Sequence, residues 1–161
     1  MGLERISPVF FESVSAVTAT PSVSLGSRRV DANGYEYVYC YNAGGEQISP
    51  GFGAIVSTGT SGFSVTITSV AETAHQFVGV IKHATLTTAT YGWVLTKGFS
   101  QIECATNSTV TGAKFMVLTD NGAFGAVSAA VAVLQPIVVI SDADANTASA
   151  GSFLGKVVSQ F

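Results

Sequence analysis

Between Ser49 and Ser141 the chain carries three acids (Glu72, Glu103, Asp120), three lysines (Lys82, Lys97, Lys114) and no other formal charge. The same stretch is written as short β-strands. Phe63, Val65 and Ile67 alternate with Ser64, Thr66 and Thr68, while Phe77–Ile81 and Gly92–Thr96 are short apolar runs beside glycines. Period-two alternation and apolar runs bounded by Gly are strand signals. Soluble β-proteins usually blunt their edge strands with charge or proline. With so little charge available, these edges must be closed into a barrel, covered, or paired with a neighbour.

Other segments extend the pattern. Ser22–Val30, with Val23, Leu25 and Val30 interrupted by Gly26, predicts a strand. Asn33-Gly34 is a strong hairpin signal because both residues tolerate positive φ. Tyr35 to Tyr41 predicts a strand with Tyr35, Tyr37, Tyr39 and Tyr41 on one face and Glu36, Val38 and Cys40 on the other. Asn42–Gly45 ends it, and Ser49-Pro50-Gly51 turns the chain into Ala54–Ser57. Ser69–Gln76 reads as a loop or short helical turn, and Lys97-Gly98 as a tight turn into Phe99–Ala105. Lys114–Thr119, Pro136–Ile140 and Phe153–Val158 read as strands, and Asp120-Asn121-Gly122 as a turn into Phe124 and Val127. Ala126–Leu134 fits a helix or a strand, and Asp142–Gly151 a polar loop. About nine or ten short strands with little helix predict an all-β fold, a compact β-barrel or sandwich. Residues 1–22 differ: Pro8, Val9, Phe10 and Phe11 form an apolar cluster followed by small and hydroxyl residues. This reads as an extended N-terminal arm anchored by Phe10 and Phe11, or else as the first strand of the core. Residues 23–161 then form a single β-rich domain.

The chain's 161 residues fit one domain. Charged residues make up 11%, against about 25% in ordinary soluble domains. Mean hydropathy is +0.44. A spanning helix needs about 20 apolar residues, and the longest candidate, Ala126–Ile140, is shorter and broken by Ser128, Gln135 and Pro136. The N-terminus shows no apolar leader segment with a cleavage site, which suggests synthesis in a cytoplasm without a membrane partner. Net charge is −3 with no basic stripe, so nucleic acid is not an expected partner. Low charge also suits surfaces buried in an assembly.

Few residues offer chemistry. A nucleophilic triad needs Ser, Cys or Thr near His75 or His83 with an orienting acid; Cys104 and His83 are a pair that could meet in space, and no G-x-S-x-G elbow is present. Two cysteines make no zinc site and read as free core residues. Asp142, Asp144 and Asn146 imitate the first half of a calcium loop, but Thr147 stands where glycine is needed and Phe153 where the terminal Glu is needed. No phosphate-binding or dinucleotide motif occurs, so no cofactor, metal or catalytic residue is assigned. A small hydrolase with a site shared between subunits is the remote enzymatic option. Tyrosine gives large contact area with a hydrogen-bonding tip. Tyr35, Tyr37, Tyr39 and Tyr41 are therefore candidate contacts for a partner subunit or a saccharide, with a solvated outer face or a core face as the bland readings. Pro8, Val9, Phe10 and Phe11 are the second candidate interface.

The segments YEYVYCYNAGGEQISPGFGAIVS, GFSVTITS and FVGVIKHATLTTATYGWVLTKGF resemble head structural proteins of tailed bacteriophages, in particular small decoration or cement proteins. The likeness spans roughly residues 23–105, with Gly151–Val158 compatible, and is best in the Y-G-W-V-x-x-x-G pattern of Tyr91–Gly98. The resemblance implies a compact β-rich domain, often with an extended arm, that binds the outer capsid surface and locks coat subunits together. Its implied partners are the major capsid protein and further copies of itself in a homo-oligomer, a trimer being one form. The implied location is the virion surface. A receptor- or carbohydrate-binding β-domain of a tail or fibre is the alternative expectation.

Overall fold

The computed structural model describes residues 12–57, 62–67, 77–105, 115–118, 122–126, 138–140 and 152–158. They form β1 (Val17–Thr18), β2 (Arg28–Val30), β3 (Glu36–Asn42), β4 (Gly53–Val56), β5 (Ser64–Thr66), β6 (Phe77–Val80), β7 (Tyr91–Glu103), β8 (Phe115–Leu118), β9 (Phe124–Ala126), β10 (Val138–Ile140) and β11 (Ser152–Val158). The strands follow the order β2-β3-β5-β4-β6-β7-β11-β10-β8-β9, with β1 beside β7. A further pairing of β3 with β7 closes β3, β5, β4, β6 and β7 into a five-stranded barrel. The protein is thus all-β, a compact barrel with extra strands, and no helix occurs among the described residues. Among the strand pairs of the described residues, only β3 with β5 is parallel. Beyond the barrel, β11, β10, β8 and β9 continue the sheet, and a parallel bridge between Cys104 and Phe124 brings β9 back to the end of β7.

Two layers of apolar side chains result. Val38 and Cys40, Ala54, Val65, Val78 and Val94 are buried in one cluster, which draws on all five barrel strands. A five-stranded barrel has a narrow interior, and small or β-branched side chains suit it. The other cluster combines Tyr37, Tyr39, Trp93 and Leu95 of the barrel with Ile102, Cys104, Leu118, Phe124 and Val157 of its extension. β3 is therefore buried on both faces, as a strand between two layers must be.

The turn expected at Lys97-Gly98 is not formed. The two runs on either side of it join in the 13-residue strand β7. Tyr37 pairs with Leu95 and Glu36 with Lys97, which leaves Thr96 as an extra residue in a bulge. The Thr96 hydroxyl donates to the Glu36 carbonyl at 3.1 Å. Gly98 follows at φ +135°, with the Tyr35 ring lying where its Cβ would be. A bulge and a left-handed glycine bend a strand and increase its twist without reversing it. β7 thereby passes from the barrel into the second sheet. The strand expected over Ser22–Val30 shortens to β2, because Ser24 to Ser27 form a turn closed by the Ser27 N–H donating to the Ser24 carbonyl. The segments 68–76, 127–137 and 141–151 lie outside the described residues.

Residues 12–22 lie along this framework. Val17 pairs with Gly92 and Thr18 with Tyr91, while Val14 packs against the outer core cluster. A chain lacking residues 1–20 is expected to be about 2–4 kcal/mol less stable than one lacking only residues 1–11, because it loses two part-buried valines and their pairing. Urea unfolding of the two truncations measures this directly. Equal midpoints would show that residues 12–20 contribute nothing to the fold.

Candidate functional site

The alternation of Tyr35 to Tyr41 places the tyrosines on the outer face of the barrel, but that face is covered. Tyr37 and Tyr39 are 1% and 0% exposed. They are core residues, which corrects their expected place on an outer contact surface. The cover is partly residues 12–25: the Ser22 hydroxyl donates to the Tyr39 Oη at 3.1 Å, and the Thr18 hydroxyl lies 3.3 Å from the same atom. Tyr41 and Tyr35 are half-buried. Tyr41 packs on Tyr91 at 4.8 Å between centroids, and Tyr39 tilts onto Trp93 at 5.1 Å. Beside this ladder, Pro21–Leu25 and Tyr91 line a shallow groove of about 640 Å³. Pro8, Val9, Phe10 and Phe11 lie outside the described residues.

A polar cluster forms at the β2–β3 hairpin. Asp31 accepts hydrogen bonds from the Asn33 and Tyr35 N–H groups at 2.8 and 3.0 Å and from the Tyr37 hydroxyl at 3.3 Å. Burial works to raise the Asp31 pKa, but the backbone N–H bonds of Tyr35 and Asn33, then Tyr37 and the charge of Lys82, hold it below its usual value. The Tyr37 Oη also lies 3.3 Å from the His83 Nε2, with the two rings stacked. Burial first, and then the neighbouring Lys82, lower the His83 pKa against the pull of Asp31. These effects favour the neutral imidazole. Lys82 places its ammonium 4.2 Å above the Tyr35 ring and donates to the Phe99 carbonyl.

Lys82 links this cluster to an exposed sheet face. Along β7, Lys97, Phe99 and Gln101 are exposed while Gly98, Ser100 and Ile102 are buried. Their partners across β11 are Val158, Lys156 and Leu154. Phe99, Leu154 and Val158 are 37%, 44% and 43% exposed, which gives this face an apolar surface. Lys97 forms a 2.8 Å ion pair with Glu36, both side chains well exposed. Neither Phe99 nor β11 is among the residues picked out by sequence as an interface. Reading Lys97-Gly98 as a turn hides the period-two run through it. The signal that would have exposed it is the shared alternation of 97–102 and 154–158.

The surroundings of Cys40 and Cys104 disfavour their thiolate forms. Cys40 and Cys104 are free and buried. Burial raises both thiol pKa values, that of Cys104 to about 11 with a further push from Glu103. A thiol so shifted holds little thiolate at neutral pH. The Nε2 of His83 lies 3.3 Å from the Tyr37 hydroxyl. Among the described residues no three His, Cys, Asp or Glu side chains converge as a metal site. Nor is any helix there long and apolar enough to cross a membrane. Comparison with protein-family models, with curated proteins and with solved structures finds no match for this chain.

Proposed function

We propose that this chain is a structural protein of a tailed-phage virion that binds the outside of the capsid and cements neighbouring coat subunits by non-covalent contacts. The capsid assignment rests on the sequence resemblance centred on Tyr91–Gly98. The observation that carries an assembling role is the exposed Phe99, Leu154 and Val158 surface on paired strands. Seven register pairs between β7 and β11 hold that surface rigid before any partner arrives. A preorganised apolar face loses little conformational entropy on docking, so more of its buried area appears as affinity. Cementing then works by mass action: a protein that binds the assembled shell and not its separated subunits stabilises the shell. Copies that span two coat subunits add avidity. On this reading the major capsid protein and other copies of this chain are the partners, and the virion surface is the site of action.

Mixing the purified protein with undecorated heads tests the reading. The protein is expected to co-sediment with heads and to raise their melting temperature by several degrees, in the range a few kcal/mol of added binding energy supports. Heads that sediment without it and melt unchanged would refute the proposal.

A further inference from the structure

We infer that the β7–β11 face docks against an apolar surface rimmed with carboxylates on the coat subunit. This inference rests on the cementing reading for the identity of the partner and adds the chemistry of the contact. Three of the chain's four lysines gather around Phe99. Lys156 is its direct cross-strand partner, Lys97 lies two residues away on the same face, and Lys82 donates to its carbonyl. Between and beside them are the exposed Phe99, Leu154 and Val158. Glu36 is paired with Lys97 and Asp31 acts on Lys82, so the three lysines leave a net positive charge of one around an apolar patch in a chain of net charge −3.

Each part of that pattern selects the occupant. The apolar side chains need a surface that buries them, which a phosphate backbone does not offer. A second copy of the same face is disfavoured. Isologous pairing sets the same patch against itself, which brings the net positive charge of two copies into one contact. Carboxylates around an apolar centre satisfy both requirements. Lys97 and Lys156 are available for this at little cost. The Lys97–Glu36 pair is exposed, and exposed pairs contribute little to folding. Lys156 is exposed on β11.

The test is binding of the full chain to undecorated heads, with dissociation constants measured at low salt and at about 0.3 M salt. Wild type is expected to bind more weakly at high salt. Lys156→Glu is expected to weaken binding about tenfold or more, and Phe99→Ser by a similar factor. Lys156→Gln should weaken it less and flatten the salt dependence. Gln47→Glu makes the same unit change of charge as Lys156→Gln in the exposed turn after the far end of β3, and is expected to bind like wild type. Circular dichroism checks the fold of each variant; because Lys156 is exposed, its variants carry the test if Phe99→Ser melts early. Wild type that binds heads while Lys156→Glu and Phe99→Ser bind equally well would overturn the assignment of this face and leave the cementing reading standing. Wild type that fails to bind would overturn both. Variants that keep head binding but lose self-association by light scattering would show a self-interface and overturn the inference. Equal weakening by Gln47→Glu would reduce the attraction to overall charge and overturn it as well.

Discussion

Gly79→Ala is expected to lower the stability of the fold by about 3 kcal/mol or more, at the upper end of the cost of overpacking. β6 and β7 approach each other so closely at this point that a Cβ on Gly79 would lie 2.1 Å from the Leu95 carbonyl oxygen and 2.9 Å from Val94 Cγ1. The first obstacle is backbone and cannot rotate away. Relief would require β6 to move off β7 where Val80 pairs with Leu95, and that pairing is a seam of the closed barrel. Gly45→Ala is the matched control, since nothing lies within 4 Å of its Cβ position. It is expected to change stability by less than about 0.5 kcal/mol. Urea or thermal unfolding of the two variants decides the matter, and a Gly79→Ala protein as stable as the control would show that the barrel is not closed tightly here.

Asn42→Ala is expected to cost about 2–4 kcal/mol, because it removes a buried bond to the Leu86 carbonyl and part-buried bonds to the Glu46 carbonyl and the Gly44 N–H at once. The residue is 0% exposed at the end of β3. Its Nδ2 donates to the carbonyls of Glu46 and Leu86, both at 2.9 Å, and its Oδ1 accepts from the Gly44 N–H at 3.0 Å. Its own backbone accepts from Ala89 and donates to Thr90. Ala89 is thereby held at φ +58°, a conformation that non-glycine residues adopt only at some cost. One side chain thus ties the 42–48 turn to the 86–90 turn, where Ile48 and Leu86 form an isolated bridge. Hydrogen exchange gives a local readout beside the melt. The amides of Gly44, Ile48, Leu86 and Ala89 should lose protection first in Asn42→Ala. Unchanged protection at those four amides would mean that the turns are held together by other contacts.

The legible part of this protein is the part governed by local patterning. The Tyr35–Tyr41 alternation, the Asn33-Gly34 hairpin and the apolar runs at 77–81 and 92–96 all lie where strands and turns were expected, give or take a residue. Each depends on side-chain period or on turn chemistry within a few residues. Lys97-Gly98 misleads because a lysine followed by glycine suits a turn as well as a bend. The choice was made by Tyr35, which lies far off in sequence and covers Gly98 inside a continuous strand. Asn42 looked like punctuation at a strand end. Its role as a clamp depends on the Leu86 carbonyl, which no local pattern brings near.

The candidate contact surface divides in the same way. By itself the sequence determined that the chain is built of short, charge-poor strands whose edges had to be closed or covered, since alternation and charge count are properties of the chain alone. Only the tertiary structure decided which faces those strands show to water. Residues 12–25 and the second sheet bury Tyr37 and Tyr39 of β3, and the passage of β7 out of the barrel leaves Phe99 exposed among lysines. Exposure is set by what packs on a face from distant parts of the chain, and period-two alternation tells the two faces of a strand apart without saying which will be covered.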